Sequence, residues 1–594
     1  MRSGAFFQPY WAIDPFFLFR KDIVMNDIRR TILWVIFGFS MVLLWDQWQV
    51  FNGQKATFFP SSTQLTQVAK PAVATLTSSP SNSVPLSASE GAGLVPGSVP
   101  GGAPSPLTSA RQQVVVRTDV LSLTFDTDGG SLVHSSFNKF QDMANKDTGF
   151  VLLDQSANRV YMAQTGLIGQ SGALPTHKTP MTLVQGDREL KDGQNDLQVR
   201  FESAEVGGVK LVKTYTLKRG SYGIDVRHEI ANSNTAAVAV APQLYLQLVR
   251  DGNKPPGESS FYSTFTGPAI YTEAKKYQKV EFKTIESNKV DVEKQASNGY
   301  VAMVQHYFAT AWILADGIQR DLFLRRVDNN LYSVGMITAL GQIAPGTTKS
   351  MDATFFVGPQ EEKKLEALAP GLELVKDYGW LTILAKPLYW LLDKLHGFIN
   401  NWGWSIVALV LLLKIAFYWL NAKAYASMAK MKAINPKITE MRERLKDKPQ
   451  EMQQAMMKIY REEKVNPMGG CFPIVIQIPV FIALYWVLLS SVEMRNAPWI
   501  LWIKDLSAPD PFFILPVVMT LTTMLQTALN PAPPDPMQAK LMWFMPLIFS
   551  VMFFFFPAGL VLYWITNNVL SITQQWVINT RMGVPPQFNL PKFR

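Results

Sequence analysis

At 594 residues the chain is too long for one hydrophobic core, and its 48% hydrophobic content is uneven: a short apolar start, a polar middle and a very apolar final third. The net charge of +10 comes without a nucleic-acid recognition motif, so it argues against binding a specific nucleic-acid sequence and for the basic loops that orient a bacterial inner-membrane protein. A single cysteine, Cys471, and five scattered histidines argue against a disulfide framework and a metal site, and no cofactor is expected.

Residues 1–24 precede a more conventional basic start at Met25 and read as an extension that is either untranslated or disordered. The apolar run 31–45 follows Arg29 and Arg30 and meets Asp46, Gln47 and Trp48. With no small-x-small site behind it, an uncleaved signal anchor is expected within 25–51. Residues 52–111 are rich in Ser, Pro, Gly, Ala and Thr. They cannot bury enough apolar surface to offset the entropy of ordering, so a flexible tether is expected. Alternating runs within 114–125 and 197–218, punctuated by Asp128-Gly129-Gly130, Gly207-Gly208 and Arg219-Gly220, predict a large all-β sandwich over 112–357. Lying between an outward-going anchor and later spans, it is expected outside the cytoplasm.

In 358–403, residues 358–370 predict a short amphipathic helix. Residues 378–395 predict an interfacial helix, because Lys386, Asp393 and Lys394 recur among leucines and aromatic residues. Five apolar runs follow within 404–579, at 404–420, 472–489, 511–529, 541–555 and 560–578, and the anchor makes six spans. Residues 421–470 hold eleven Lys or Arg against six Asp or Glu, 492–510 hold two against three, and the tail 580–594 has three basic and no acidic residues. Both termini are therefore expected in the cytoplasm. The basic loop 421–470 predicts a helical hairpin with arms at 422–445 and 450–465, broken at Lys446-Asp447-Lys448-Pro449, and Asn435-Pro436 is expected to interrupt the first arm. Its methionines, Met431 and Met456 among them, read either as core filler or as an adaptable contact surface.

Lys414 lies inside the run 404–420, about 9 Å of helix from its cytoplasmic end. An ionisable group in hydrocarbon costs a few kcal/mol unless something receives it, and a lysine stem can also snorkel to water; taken alone, Lys414 supports function and snorkelling equally. Gln477 and Ser571 fall at a similar depth, about 10 Å from their cytoplasmic helix ends. Trp564, Asn568, Ser571 and Gln575 recur at spacings that put them on one helix face. Singly, Gln477, Asn568 and Ser571 read as interhelical hydrogen bonds. Beside a lysine with no carboxylate in the spans, they predict a hydrated pocket in the inner half of the bilayer whose charge awaits a partner from outside.

At these residues the chain resembles the YidC/Oxa/Alb family of membrane protein insertases, in its Gram-negative form. The resemblance rests on Val465-Asn466-Pro467-Met468-Gly469-Gly470-Cys471-Phe472-Pro473, Gln477-Ile478-Pro479-Val480-Phe481, Asp505-Leu506-Ser507-Ala508 and Phe556-Pro557-Ala558-Gly559-Leu560-Val561-Leu562-Tyr563-Trp564. It implies a polytopic α-helical membrane protein with a five-helix insertase core, an inner-leaflet groove and a periplasmic β-supersandwich similar to galactose mutarotase. It also implies an insertase and chaperone rather than an enzyme, acting on nascent membrane proteins in the lipid bilayer. Partners implied are the Sec translocon, ribosome–nascent chain complexes and the signal recognition pathway. The groove residues would be Lys414, Gln477, Trp564, Asn568 and Ser571. The family usually has arginine where Lys414 stands; lysine keeps the charge and loses the planar fork. Two other readings stand beside this one. A secondary transporter of a small anion would use Lys414 as its binding charge, although no broken-helix repeat in two halves accompanies it. A sugar-processing enzyme would follow from the β domain alone, although Glu202, Glu205, His228 and Glu229 form no catalytic pattern.

Overall fold

The computed structural model describes residues 112–583, apart from 143–146, 170–172, 235–238, 256–263, 447, 464–471 and 531–535, together with residue 588. The anchor at 31–45, the tether and most of the tail lie outside the described residues.

Among the described residues, nineteen strands run from Gln113–Arg117 to Thr348–Pro359 and form two antiparallel sheets, one of ten strands and one of nine. Period-two alternation decides which face is buried. In Asp196–Ser203, Leu197, Val199 and Phe201 turn inward while Gln198 and Arg200 face water. That strand pairs with Val209–Lys218 across Gly207 and Gly208, whose φ values of 61° and 75° suit glycine. Toward one end of the sandwich core, Phe137 and Phe150 stack on Phe308 at 5.0 and 4.2 Å between ring centres.

Nine helices follow among the described residues. Helix α1 (Glu362–Leu368) leads through 3-10 turns at Leu372–Val375 and Gly379–Leu381 into α2 (Thr382–Ile399). The interfacial segment expected at 378–395 is thus helical four residues later. Asn400 closes α2 in the left-handed region at φ 55°, and the Asn401 side chain accepts from Trp404 N–H at 3.1 Å to cap α3 (Trp402–Ala416). Then come α4 (Tyr418–Arg444), α5 (Pro449–Glu462), α6 (Phe472–Ser490), α7 (Ile514–Leu529), α8 (Pro536–Phe553) and α9 (Ala558–Arg581).

Two expectations are corrected. The run 404–420 is not one helix: α3 ends at Ala416 and the chain bends by 69° into α4. Hydropathy counts apolar residues and carries no direction; here Asn421 Nδ2 reaches Gln574 Oε1 at 3.3 Å, a contact made beyond the bend. Asn435-Pro436 does not interrupt the first hairpin arm, because α4 runs through Pro436. Proline removes one helical N–H bond, but Ile434 and Ile438 are buried against Met431, Met456, Ile459 and Tyr460, and that small core holds both arms across the loss. Met431 and Met456 are half-buried against that core, while Met457 is 51% exposed.

No single described helix is long and apolar enough by itself to cross a membrane; α3 and α4 meet that condition only as a bent pair, and α7 is a shorter apolar helix. A second hydrophobic core, containing Leu392, Ile406, Leu409, Leu484, Val487, Leu560 and Val561, joins α2, α3, α6 and α9.

Candidate functional site

Because α3 ends early, Lys414 sits in its last turn rather than well inside the helix. The unpaired carbonyls there carry partial negative charge, which favours a cation. Its Nζ donates to Ser571 Oγ at 2.8 Å, and Ser571 Oγ donates in turn to Asn567 O at 2.7 Å on α9. Gln477 Nε2, on α6, donates to Tyr563 Oη at 3.2 Å. Lys414, Asn421, Gln477, Tyr563 and Asn567 line a narrow cavity of about 10 Å³, room for about one water. The buried Asn567 Oδ1 has no hydrogen-bond partner. Among the described residues no carboxylate pairs with Lys414.

The expected polar face of α9 is divided between two neighbours. Ser571 faces α3, whereas Asn568 Nδ2 donates to Thr523 Oγ1 at 2.8 Å and Thr522 Oγ1 at 3.3 Å on α7. Gln575 Nε2 likewise reaches Asn530 Oδ1 at 3.3 Å, just past the end of α7. Spacings of three and four residues spread side chains over an arc wide enough to touch two helices, so a shared face is not a shared pocket. Trp564 is half-buried between Phe481 and Phe553, with ring centres at 4.6 and 5.2 Å. The structure thus brings Lys414 and Gln477 to one cavity, bonds Ser571 to the lysine, sets Trp564 against Phe481 and Phe553, and ties Asn568 to α7. Asn421, Tyr563 and Asn567 escaped the sequence reading. Asn567, polar in an apolar helix beside Asn568, carried a local signal, while Asn421 became a lining residue only through the bend.

In the β domain, strand alternation separates the residues that would have suggested sugar chemistry. His228 is fully buried, with burial lowering its pKa to about 3, while Glu229 points outward to Arg200 at 3.4 Å. Glu202 is held by Lys210 at 2.6 Å and by Arg200 at 3.1 Å. Glu202 and Glu229 meet at Arg200 on the outer face, and the buried His228 lies on the other.

Apolar helices that enclose a lysine-centred polar cavity, joined to a two-sheet β sandwich, define a two-part α and β architecture. Residues 113–391 match the family described as the YidC periplasmic domain, and residues 394–584 match that described as the 60Kd inner membrane protein. The chain is 56% identical over 557 residues to the membrane protein insertase YidC of Cupriavidus metallidurans, covering 94% of this chain and 98% of that one. It is 52% identical over 561 residues to the protein of the same name from Bordetella pertussis, with the same coverage of 94% and 98%. A solved structure of an active YidC insertase with its first transmembrane domain resolved aligns over 78% of this chain and 92% of its own, at 20% identity and a TM-score of 0.37. The chain belongs to the YidC family of membrane protein insertases, inner-membrane proteins with a periplasmic domain.

Proposed function

We propose that this protein inserts and folds nascent inner-membrane proteins by receiving their polar outer segments in the cavity around Lys414 and releasing their apolar helices sideways into lipid. The observation that carries this reading is a lysine at a helix end inside the apolar core, bonded to Ser571 and bordered by Gln477 and Asn567, with no carboxylate partner among the described residues. A substrate carboxylate supplies the missing charge, and the amide and hydroxyl groups replace water for its backbone. Trp564 borders the apolar side of the path. The cavity is about one water wide, so a substrate enters by parting α3, α6 and α9.

The topology that goes with this reading has six spans: the anchor at 31–45 and five in the core 404–579. Both termini are cytoplasmic, the β domain 112–357 is periplasmic, and the hairpin 421–470 faces the incoming chain. Ribosome–nascent chain complexes, the signal recognition pathway and the Sec translocon are the partners that would deliver or share substrates. The test is depletion of the protein followed by protease protection of small inner-membrane proteins, with the parent chain and Lys414→Ala supplied in trans. Restoration by the parent and not by Lys414→Ala is expected; equal restoration by both would overturn the role given to this cavity.

A further inference from the structure

The turn that follows α6 is gripped from two sides. On one side Glu493 accepts from Lys376 Nζ, at 3.2 and 3.1 Å to its two oxygens, and from Tyr389 Oη of α2 at 2.6 Å. The same ammonium lies 3.8 Å from the centre of the Tyr389 ring, and the Lys376 side chain is fully buried. On the other side Arg495 enters the β sandwich, donates to Gln141 O and lies 5.0 and 5.4 Å from the ring centres of Phe150 and Phe308. Between the two grips Val492 is 1% exposed and belongs to the β-sandwich core, and His306 Nε2 donates to Leu489 O, at the outer end of α6, at 2.9 Å.

Buried charge pairs are poor devices for stability, because desolvation offsets most of their attraction; their better-attested use is to fix register. One such pair, Lys376 with Glu493, and one buried cation over aromatic rings, Arg495, converge here on one short turn. Helix α6 is continuous from Phe472 to Ser490, so what holds its outer end also aims Gln477, thirteen residues and about 20 Å further in. A pivot of about 5° at that end moves Gln477 by about 2 Å, enough to lose its hydrogen bond to Tyr563.

We propose that Glu493 and Arg495 are positioning residues of the insertion site: they fasten the outer end of α6 to α2 and to the β sandwich, and so set the place of Gln477 in the cavity. This rests on the insertion site proposed above. Removing one charge of such a pair leaves the other buried and unpaired, whereas removing both leaves no orphan, so the two losses do not add, while independent packing residues give additive losses.

The experiment uses the full-length chain at matched abundance, with insertion of a small substrate bearing acidic outer residues read by protease protection. Glu493→Gln and Lys376→Met are each expected to lower insertion about tenfold, and the double variant to lose no more than either single variant. Arg495→Ala is expected to lower insertion per folded molecule, with Arg495→Lys, which keeps a cation over the rings, intermediate. Thermal unfolding of each variant accompanies the insertion assay. Insertion that only tracks the folded fraction, single variants without effect, or losses that multiply in the double variant would overturn the proposal. Lys414→Ala runs in parallel: loss there with intact Glu493 and Arg495 variants sinks only the positioning role, whereas a harmless Lys414→Ala sinks the insertion site itself.

Discussion

Replacing Ser571 by alanine removes the hydrogen-bond partner that Lys414 has at 2.8 Å and leaves the charge in place. A hydrogen bond to a charged group contributes about 1.5–3 kcal/mol net, and a carboxylate about 4 Å from an ammonium gains about 4 kcal/mol at an effective dielectric near 20, before its desolvation is subtracted. Ser571→Ala lets the ammonium swing without deleting it, so about a tenfold loss of insertion is expected for substrates with acidic outer segments, equivalent to about 1.4 kcal/mol. Lys414→Ala removes the attraction altogether and is expected to cost about a hundredfold on those substrates and far less on neutral ones. Ser571 acts through the lysine, so the double variant should be no worse than Lys414→Ala alone, a non-additivity that separates a coupled pair from two independent packing residues. Lys414→Arg should keep activity because charge is kept, and Lys414→Glu should be worst for acidic segments. The assay is protease protection of paired substrates that differ only in acidic against neutral outer residues, with expression matched. Strictly additive losses, or a harmless Lys414→Ala on both substrates, would refute the reasoning; the second is what a snorkelling lysine gives.

The β domain should lose stability in acid. Burial holds His177 and His228 at about 3 and His306 at about 4, well below the ordinary 6.5, so the unfolded chain binds more protons below that value and stability falls as pH drops from about 6.5 toward 4. Each contributes up to about 1.4 kcal/mol per pH unit in that window, and melting temperatures that do not fall between pH 6.5 and 4.5 would contradict it. Lys213, which burial lowers to about 7, has the same sign at higher pH: unfolding still binds a proton up to about 10.5, so stability rises from neutral to alkaline. Asn568→Leu should lower stability by about 1 kcal/mol through the lost tie to Thr523 and should reduce insertion of acidic and neutral substrates alike; a selective loss on acidic ones would return Asn568 to the insertion site. Photo-crosslinkers at Met457, which is 51% exposed, should capture nascent chains more efficiently than at Met456, which packs into the hairpin core, and the reverse yield would contradict that packing. Gly403→Ala should destabilise the start of α3 by about 1–3 kcal/mol, because its added Cβ would lie 2.2 Å from Trp499 Cδ1; an unchanged melting point would mean that the indole moves freely.

The parts of this protein that were legible in its sequence are those written in local pattern. A strand such as Asp196–Ser203 buries every second side chain because its neighbours alternate, and this period survives any tertiary arrangement with one dry face. The break before α5 was legible for the same reason, since Pro449 is favoured in a helix's first turn. Lys414 was legible as an exception, because one charge in an apolar run must be explained wherever the run goes. The wrong expectations were also local. Asn435-Pro436 looked like a break because the cost of proline is intrinsic, while the hairpin core that absorbs it is assembled from the other arm.

What only the tertiary structure decided is which neighbour each polar group meets. Helical spacing placed Asn568, Ser571 and Gln575 on one face, yet the angle at which α9 passes between α3 and α7 assigned Ser571 to the lysine and the two amides to α7 and its end. The same holds for the bend after Ala416, which brought Asn421 to the cavity, and for Lys376 and Glu493, joined across 117 residues of sequence. Periodicity along a chain fixes the direction of a side chain relative to its own helix axis; its partner depends on how that axis is set against others, and that is settled by packing among residues far apart in sequence.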